Sequence, residues 1–376
     1  MKKLSFFLIL YISGIFLYSQ AKLPDLQKPE IISGRFLGQG GSYTTLEAGT
    51  DTLFTNPAAF AFLKKRLLVM RAGITTSGNV PDFFNLLIQK NKEKLFEDYF
   101  GNLVKNDLYL NTTGPLAIAF TDKNFGFGIF NRFFANSNFS RGNNESFLIG
   151  GELFLTGGYG GTVYDDGVNR VSLGLQMKGF FQTFIYTDKI PTPPFQNDLL
   201  KQFNLVLDIG FGIDTGFLYK YKNYFFLGFT CRDLYTPVLR TYYKDFEAYK
   251  NSSPSGKTQY KAFLPDLTVG IGSIPVYKGL YKTVSSLSVY SDYRNILQPV
   301  FDKSRNPLLN IAAGSEIVFH EVLYLKLGLS ELYPQGGIGF DFTYFTLDFS
   351  GFVKERGYKI WEKPLIVFGC NLSFEY

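Results

Sequence analysis

From residue 66 onward, apolar and polar side chains alternate with a period of two. In 363–376, Ile366, Phe368, Cys370, Leu372, Phe374 and Tyr376 occupy one face and Val367, Gly369, Asn371, Ser373 and Glu375 the other. Successive side chains of an extended strand point to opposite sides, so this is strand patterning. The same alternation sets Val171, Leu173, Leu175, Met177 and Phe181 against Ser172, Gly174, Gln176 and Lys178. It sets Leu205, Leu207, Ile209, Phe211, Ile213 and Phe217 against Asn204, Asp208 and Asp214. It recurs at Leu323, Leu325, Leu327 and Leu329 against Lys326, and at Phe345, Leu347, Phe349 and Val353 against Thr346, Asp348, Ser350 and Lys354. Fourteen strands are predicted: 66–77, 106–120, 125–139, 147–164, 170–187, 203–220, 224–240, 262–276, 283–294, 308–319, 322–332, 336–342, 345–354 and 364–376. The even-numbered connections (122–124, 165–169, 221–223, 277–282, 320–321, 343–344) are short. The odd-numbered ones (78–105, 140–146, 188–202, 241–261, 295–307, 333–335, 355–363) are mostly long. Tight turns at one end, longer loops at the other, apolar residues outside and polar ones inside form the pattern of a transmembrane barrel. A two-sheet sandwich has no reason to show it. The predicted fold class is all-β, a 14-stranded antiparallel transmembrane β-barrel.

Composition agrees. Of 376 residues only 19% are charged and 18% are aromatic, with 41 Phe, 25 Tyr and one Trp, against about 25% charged in ordinary soluble chains. The 45% apolar content excludes disorder, and a mean hydropathy of +0.01 means that apolar and polar residues are interleaved. Residues 1–21 read as an export signal: Lys2 and Lys3, an apolar stretch Leu4 to Leu17, then Ser19-Gln20-Ala21. That stretch is shorter than the roughly 20 residues of a spanning helix, and no later run of that length lacks a charge. The formal charge of +6 is scattered along the chain, which offers nucleic acid no patch. Cys231 and Cys370 stand far apart with no second ligand near either, and His320 is the only histidine. No metal site, cofactor site or catalytic triad can be assembled from these residues, so the chain is not expected to be an enzyme. The inward carboxylates Asp208, Asp214, Glu316, Asp341 and Asp348, with Lys178, Lys326 and Lys354, are expected to pair and solvate a lumen.

Residues 22–65 depart from the alternation. They hold Arg35-Phe36-Leu37-Gly38-Gln39-Gly40-Gly41-Ser42-Tyr43, then Asp51 and the run Asn56-Pro57-Ala58-Ala59. Gly38, Gly40 and Gly41 permit positive φ or close backbone approach, which suits a coil inside a narrow lumen. A phosphate cradle would require a strand before and a helix after, and neither is written here. Asn56-Pro57 places an extended residue before a rigid φ, a place for the chain to turn toward the wall.

This block resembles the amino-terminal hatch of the FadL-like long-chain fatty-acid outer-membrane transporters, in which a Gly-rich stretch precedes an Asp and an Asn-Pro-Ala-Gly sequence; Ala59 stands where the family usually has Gly. The likeness covers about thirty residues closely. It is nearest to a branch that is itself similar to the barrel subunits of type IX secretion. The resemblance implies a signal peptide (1–21), a hatch or plug (22–65) and a barrel (66–376) in the bacterial outer membrane. The final strand, ending on Tyr376, would then be read by the barrel-assembly machinery, and membrane lipid would cover the outside. It also implies a gating role for Gly38, Gly40, Gly41, Asp51, Asn56, Pro57 and Ala58.

In the longest loop, Phe84, Ile88, Leu95, Tyr99 and Leu103 fall on one helical face. Such a face serves either as an apolar capture groove, as outer helices do in that family, or as a plain cap on the rim. The expected function is passive uptake of long-chain fatty acids or other hydrophobic small molecules. A protein-interaction or secretion-machine platform is the alternative.

Overall fold

The computed structural model describes residues 26–28, 33–77, 109–140, 144–187, 204–222, 224–275, 283–301 and 304–376. Its strands are β1 (Arg66–Ser77), β2 (Tyr109–Asp122), β3 (Phe125–Ser140), β4 (Asn144–Asp165), β5 (Asn169–Thr187), β6 (Asn204–Tyr221), β7 (Phe225–Tyr235), β8 (Pro237–Tyr243), β9 (Gln259–Ala262), β10 (Asp266–Ser273), β11 (Val284–Tyr293), β12 (Ile311–Phe319), β13 (Leu323–Ser330), β14 (Tyr333–Asp341), β15 (Phe345–Glu355) and β16 (Pro364–Glu375). All belong to one antiparallel sheet, and β1 pairs with β16 from Leu68↔Glu375 to Ser77↔Val367, so the sheet closes on itself. Among the described strands closure leaves one side of β9 without a ladder partner, since β9 pairs only with β8. No described helix is long and apolar enough to cross a membrane.

Sixteen strands make fourteen staves, because two staves are interrupted. β7 and β8 both pair with β6 on either side of Thr236, and β9 and β10 flank Phe263–Pro265. The predicted strands 224–240 and 262–276 are corrected here. The ladder jumps from Thr215↔Cys231 to Ile213↔Tyr235, Asp233 takes φ 54, and Pro237 and Pro265 bring no N–H to the ladder. The predicted loop 140–146 is corrected at both ends, since β3 and β4 stay paired to Ser140↔Asn144. The predicted loop 241–261 contains a short helix at Phe246–Lys250 and the strand β9.

The wall obeys the predicted parity. Along β5, Leu173, Leu175 and Met177 are each 50% exposed, while Ser172, Gln176 and Lys178 are buried on the other face. Ile366 and Phe368 are exposed on β16, and Val367, Asn371 and Ser373 are buried. The outer surface is therefore apolar and the inner one polar, as lipid outside requires. The tight turns gather at one end, among them Lys123-Asn124 between β2 and β3 and 320–322 with His320 at φ 48. In the turn 166–168, backbone N–H groups of Asn169 and Val168 donate to the Asp166 carboxylate, with the Asn169 amide, and hold its pKa below the ordinary range.

Candidate functional site

Residues 33–65 lie against the inward faces of the wall. A four-residue helix, α1 (Gly34–Leu37), is capped by the Ser33 hydroxyl. Two 3-10 turns follow, at Gly49–Phe54 and Pro57–Phe62. The Asn56-Pro57-Ala58 run explains itself locally. Asn56 is extended (φ −93, ψ 114), its Oδ1 accepts the Ala58 N–H at 3.0 Å, and Pro57 occupies the first helical position, where no N–H is needed. The Asn56 amide donates onward to Thr44 O at 2.8 Å and to Phe217 O on β6 at 3.0 Å. One side chain thus starts the turn and ties it both to the preceding coil and to the wall.

The seat is built of wall glycines. A Cβ on Gly174 of β5 would overlap the Pro57 backbone, and one on Gly314 of β12 would overlap Gln39. Of the three glycines singled out in the segment, Gly40 and Gly41 use positive φ (73 and 70), and Gly40 also presses against the carbonyls of Ala313 and Leu329. Gly38 keeps an ordinary φ of −70 and serves instead by close approach, its Cβ position lying 3.0 Å from Gly337 Cα. Replacing Gly174 with Val is expected to cost about 1–3 kcal/mol through overpacking. A denaturation midpoint measured in detergent checks this, and an unchanged midpoint would contradict the tight seat.

Charge fastens the rest. Arg71 of β1, 2% exposed, lies 2.7 Å from the Asp51 carboxylate and 3.6 Å from Glu375 on β16. The Ser33 hydroxyl donates to Asp51 at 2.6 Å, and the Thr50 hydroxyl to Glu375 at 2.7 Å. Arg35 forks onto Glu316 at 2.9 and 3.3 Å, and that carboxylate raises the Arg35 pKa against the opposing effect of burial. The Gln39 amide donates to the same Glu316 at 2.5 Å. Asp292 accepts the Tyr43 and Thr44 backbone N–H groups and the Thr44 hydroxyl at 2.8–3.0 Å. Glu47 is ion-paired with Lys220.

Most of these partners were not singled out from the sequence. Arg71 had one available signal, an arginine inside the otherwise apolar run Leu67 to Ile74. Pairings among the expected lumen residues form between Asp214 and Lys178 and between Asp348 and Lys326, while Asp208 pairs with Arg240, which was not singled out from the sequence. Lys354 lies over the Tyr109 ring at 4.8 Å, and Asp341 lines the smaller cavity described next. The predicted groove of Phe84, Ile88, Leu95, Tyr99 and Leu103, like the leader, lies outside the described residues.

Two cavities flank the segment. Toward the long connections, a cavity of about 630 Å³ is lined by Phe36, Leu37, Phe54, Leu297, Phe301 and Phe352, with polar groups between them. Toward the tight turns, one of about 190 Å³ is lined by Arg35, Asp51, Arg71, Lys326, Asp348 and Glu375. Helix α1 thus turns Phe36 and Leu37 to one chamber and Arg35 to the other. Among the described residues, no group of three or more Cys, His, Asp or Glu side chains is placed to hold a metal ion.

No family model and no curated sequence matches the chain. Among solved structures, the toluene transporter TbuX of Ralstonia pickettii aligns over 92% of this chain and 97% of its own, with a TM-score of 0.50 at 12% identity. The toluene transporter TodX of Pseudomonas putida aligns over 90% and 96%, with a TM-score of 0.47 at 11% identity. A Pseudomonas aeruginosa FadL homologue aligns over 90% and 97%, with a TM-score of 0.45 at 8% identity. The likeness to TbuX supports the fold, a closed 14-strand antiparallel β-barrel similar to that of the solved transporter.

Proposed function

We propose that the protein is a passive outer-membrane channel for hydrophobic small molecules, with residues 22–65 as its hatch. The observation that carries this reading is the 630 Å³ cavity, which opens toward the long connections and is bounded by Phe36, Leu37 and Phe54 of the hatch itself. Its volume falls in the range of small-molecule sites, roughly 300–1,000 Å³. Each methylene moved from water into an apolar site gains about 0.8 kcal/mol, so such a chamber concentrates a greasy solute without an energy source. Passage then requires the hatch to shift, because the polar chamber lies on its far side. The named activity of TbuX and TodX, toluene transport, supports this class of solute, and long-chain fatty acids are members of it. Gly38, Gly40, Gly41, Asp51, Asn56, Pro57 and Ala58 act as seating and gating positions in this reading. The chemistry is transfer, not turnover.

Cells producing the protein are expected to take up radiolabelled oleate or toluene faster than cells lacking it. Equal uptake of both solutes would overturn the channel reading.

A further inference from the structure

The connection between β15 and β16 folds around its own acids. The Glu355 carboxylate accepts the backbone N–H groups of Gly357, Glu362 and Lys363 at 2.7–3.0 Å and the Tyr333 hydroxyl at 2.7 Å. Glu362 accepts those of Tyr358 and Lys359 at 2.8 and 2.9 Å. Neighbouring connections are tied in as well. Asn306 donates its backbone N–H to Tyr358 O at 2.9 Å, and Glu331 takes the Glu355 N–H at 2.7 Å and the Arg305 guanidinium at 2.8 Å. A loop held by so many bonds is preset in shape, yet it turns its rings outward. Trp361, the one tryptophan of the chain, is 70% exposed, and Tyr358 is 58% exposed. Trp361 also holds φ 60, a region that crowds a bulky side chain and persists only where the surroundings fix it. Lys359 is exposed between them in sequence. The acid beside it, Glu362, is already shared with two backbone N–H groups.

The lipid-facing row of β16 fixes the height of this loop. From Tyr376 to Ile366 that row covers about 33 Å of strand, or about 25 Å of height at the usual tilt, which is the full apolar band of an outer-membrane barrel. Tyr376 and Tyr344, both exposed with ring centroids 6.0 Å apart, mark one border of the band. Tyr358 and Trp361 stand past the other, on the side of the long connections, where lipid head groups begin. An aromatic girdle needs only amphipathic rings at that level. It needs neither a preset loop, nor a strained backbone, nor a cation beside the rings.

We propose that the loop 355–363 docks the phosphorylated disaccharide head group of an outer-leaflet glycolipid. Trp361 and Tyr358 take the apolar faces of sugar rings, and Lys359 takes a phosphate. The proposal rests on the outer-membrane placement of the barrel and is independent of what the lumen carries. A plain phospholipid offers the phosphate and no ring to stack.

The test uses the full chain in nonionic detergent, with Trp361 as the reporter, since the chain has no other tryptophan. Bis-phosphorylated lipid A is expected to shift its emission to shorter wavelength at about tenfold lower concentration than phosphatidylethanolamine does, the gain that one or two cations supply at a membrane surface. Lys359→Gln should remove that preference and leave the phosphatidylethanolamine response where it was. Trp361→Ala should lower the amount of lipid A that stays with the purified protein, counted by mass spectrometry. Equal response of the unmodified protein to the two lipids overturns the docking surface and returns Trp361 to the girdle. The same shift with inorganic phosphate alone overturns the lipid as its source. Full preference retained in Lys359→Gln overturns the phosphate contact. Uptake of oleate or toluene depends on none of these outcomes, so the channel reading stands or falls separately.

Discussion

Asp51→Ala is expected to destabilise the seam between β1 and β16 by about 3 kcal/mol, the lower end of what breaking a buried ion pair costs. The Arg71 guanidinium is 2% exposed, and its nearest carboxylate is Asp51 at 2.7 Å; Glu375 at 3.6 Å offers only partial relief. With alanine in place, residues 33–65 still cover Arg71, so water does not replace the lost carboxylate. The Ser33 hydroxyl, which caps α1 and donates to Asp51, loses its acceptor as well. Asp51→Asn should cost less, because an amide oxygen can still accept from Ser33 and Arg71. Loss of heat-resistant compact migration on gels, followed against temperature, provides the measurement. Equal thermal midpoints for the unmodified protein and Asp51→Ala would mean that Arg71 does not depend on that carboxylate.

Removing residues 22–65 altogether is expected to raise ion conductance in planar bilayers severalfold, from a nearly closed baseline to steady open steps. Of this segment, the described residues 33–65 lie between a cavity of about 630 Å³ and one of about 190 Å³. Without it the two chambers join into one polar-walled passage. Arg71 should tolerate this deletion better than it tolerates Asp51→Ala, since an emptied lumen admits water to the guanidinium. That inversion, a large deletion gentler on the seam than a single substitution, separates a hatch from an ordinary packed core. Unchanged conductance after the deletion would contradict the hatch.

How much of this was written in the sequence differs by scale. The wall was legible because lipid and lumen impose opposite demands on alternate residues, so Leu173, Leu175 and Met177 against Gln176 and Lys178 declare their sides without any tertiary information. The interruptions at Thr236 and Phe263–Pro265 were not legible. They lie where two adjacent staves lose their ladder together, and hydropathy does not record register. The segment 22–65 was visible as a break in period, and Asn56-Pro57 as a turn. Its seat was hidden, because Gly174 and Gly314 are merely small residues in a strand until Pro57 and Gln39 are placed against them. Asp51 stood out by its spacing, yet its partner Arg71 could be found only by closing the barrel.

The hydrogen bond from Thr50 to Glu375 spans 325 positions. Between them run all fourteen staves. No early folding intermediate can contain this contact, whose loop-closure cost is met only when the last strand arrives beside the first. Docking of residues 33–65 and completion of the cylinder therefore become a single late event, and a barrel still open along one side carries that segment unfastened.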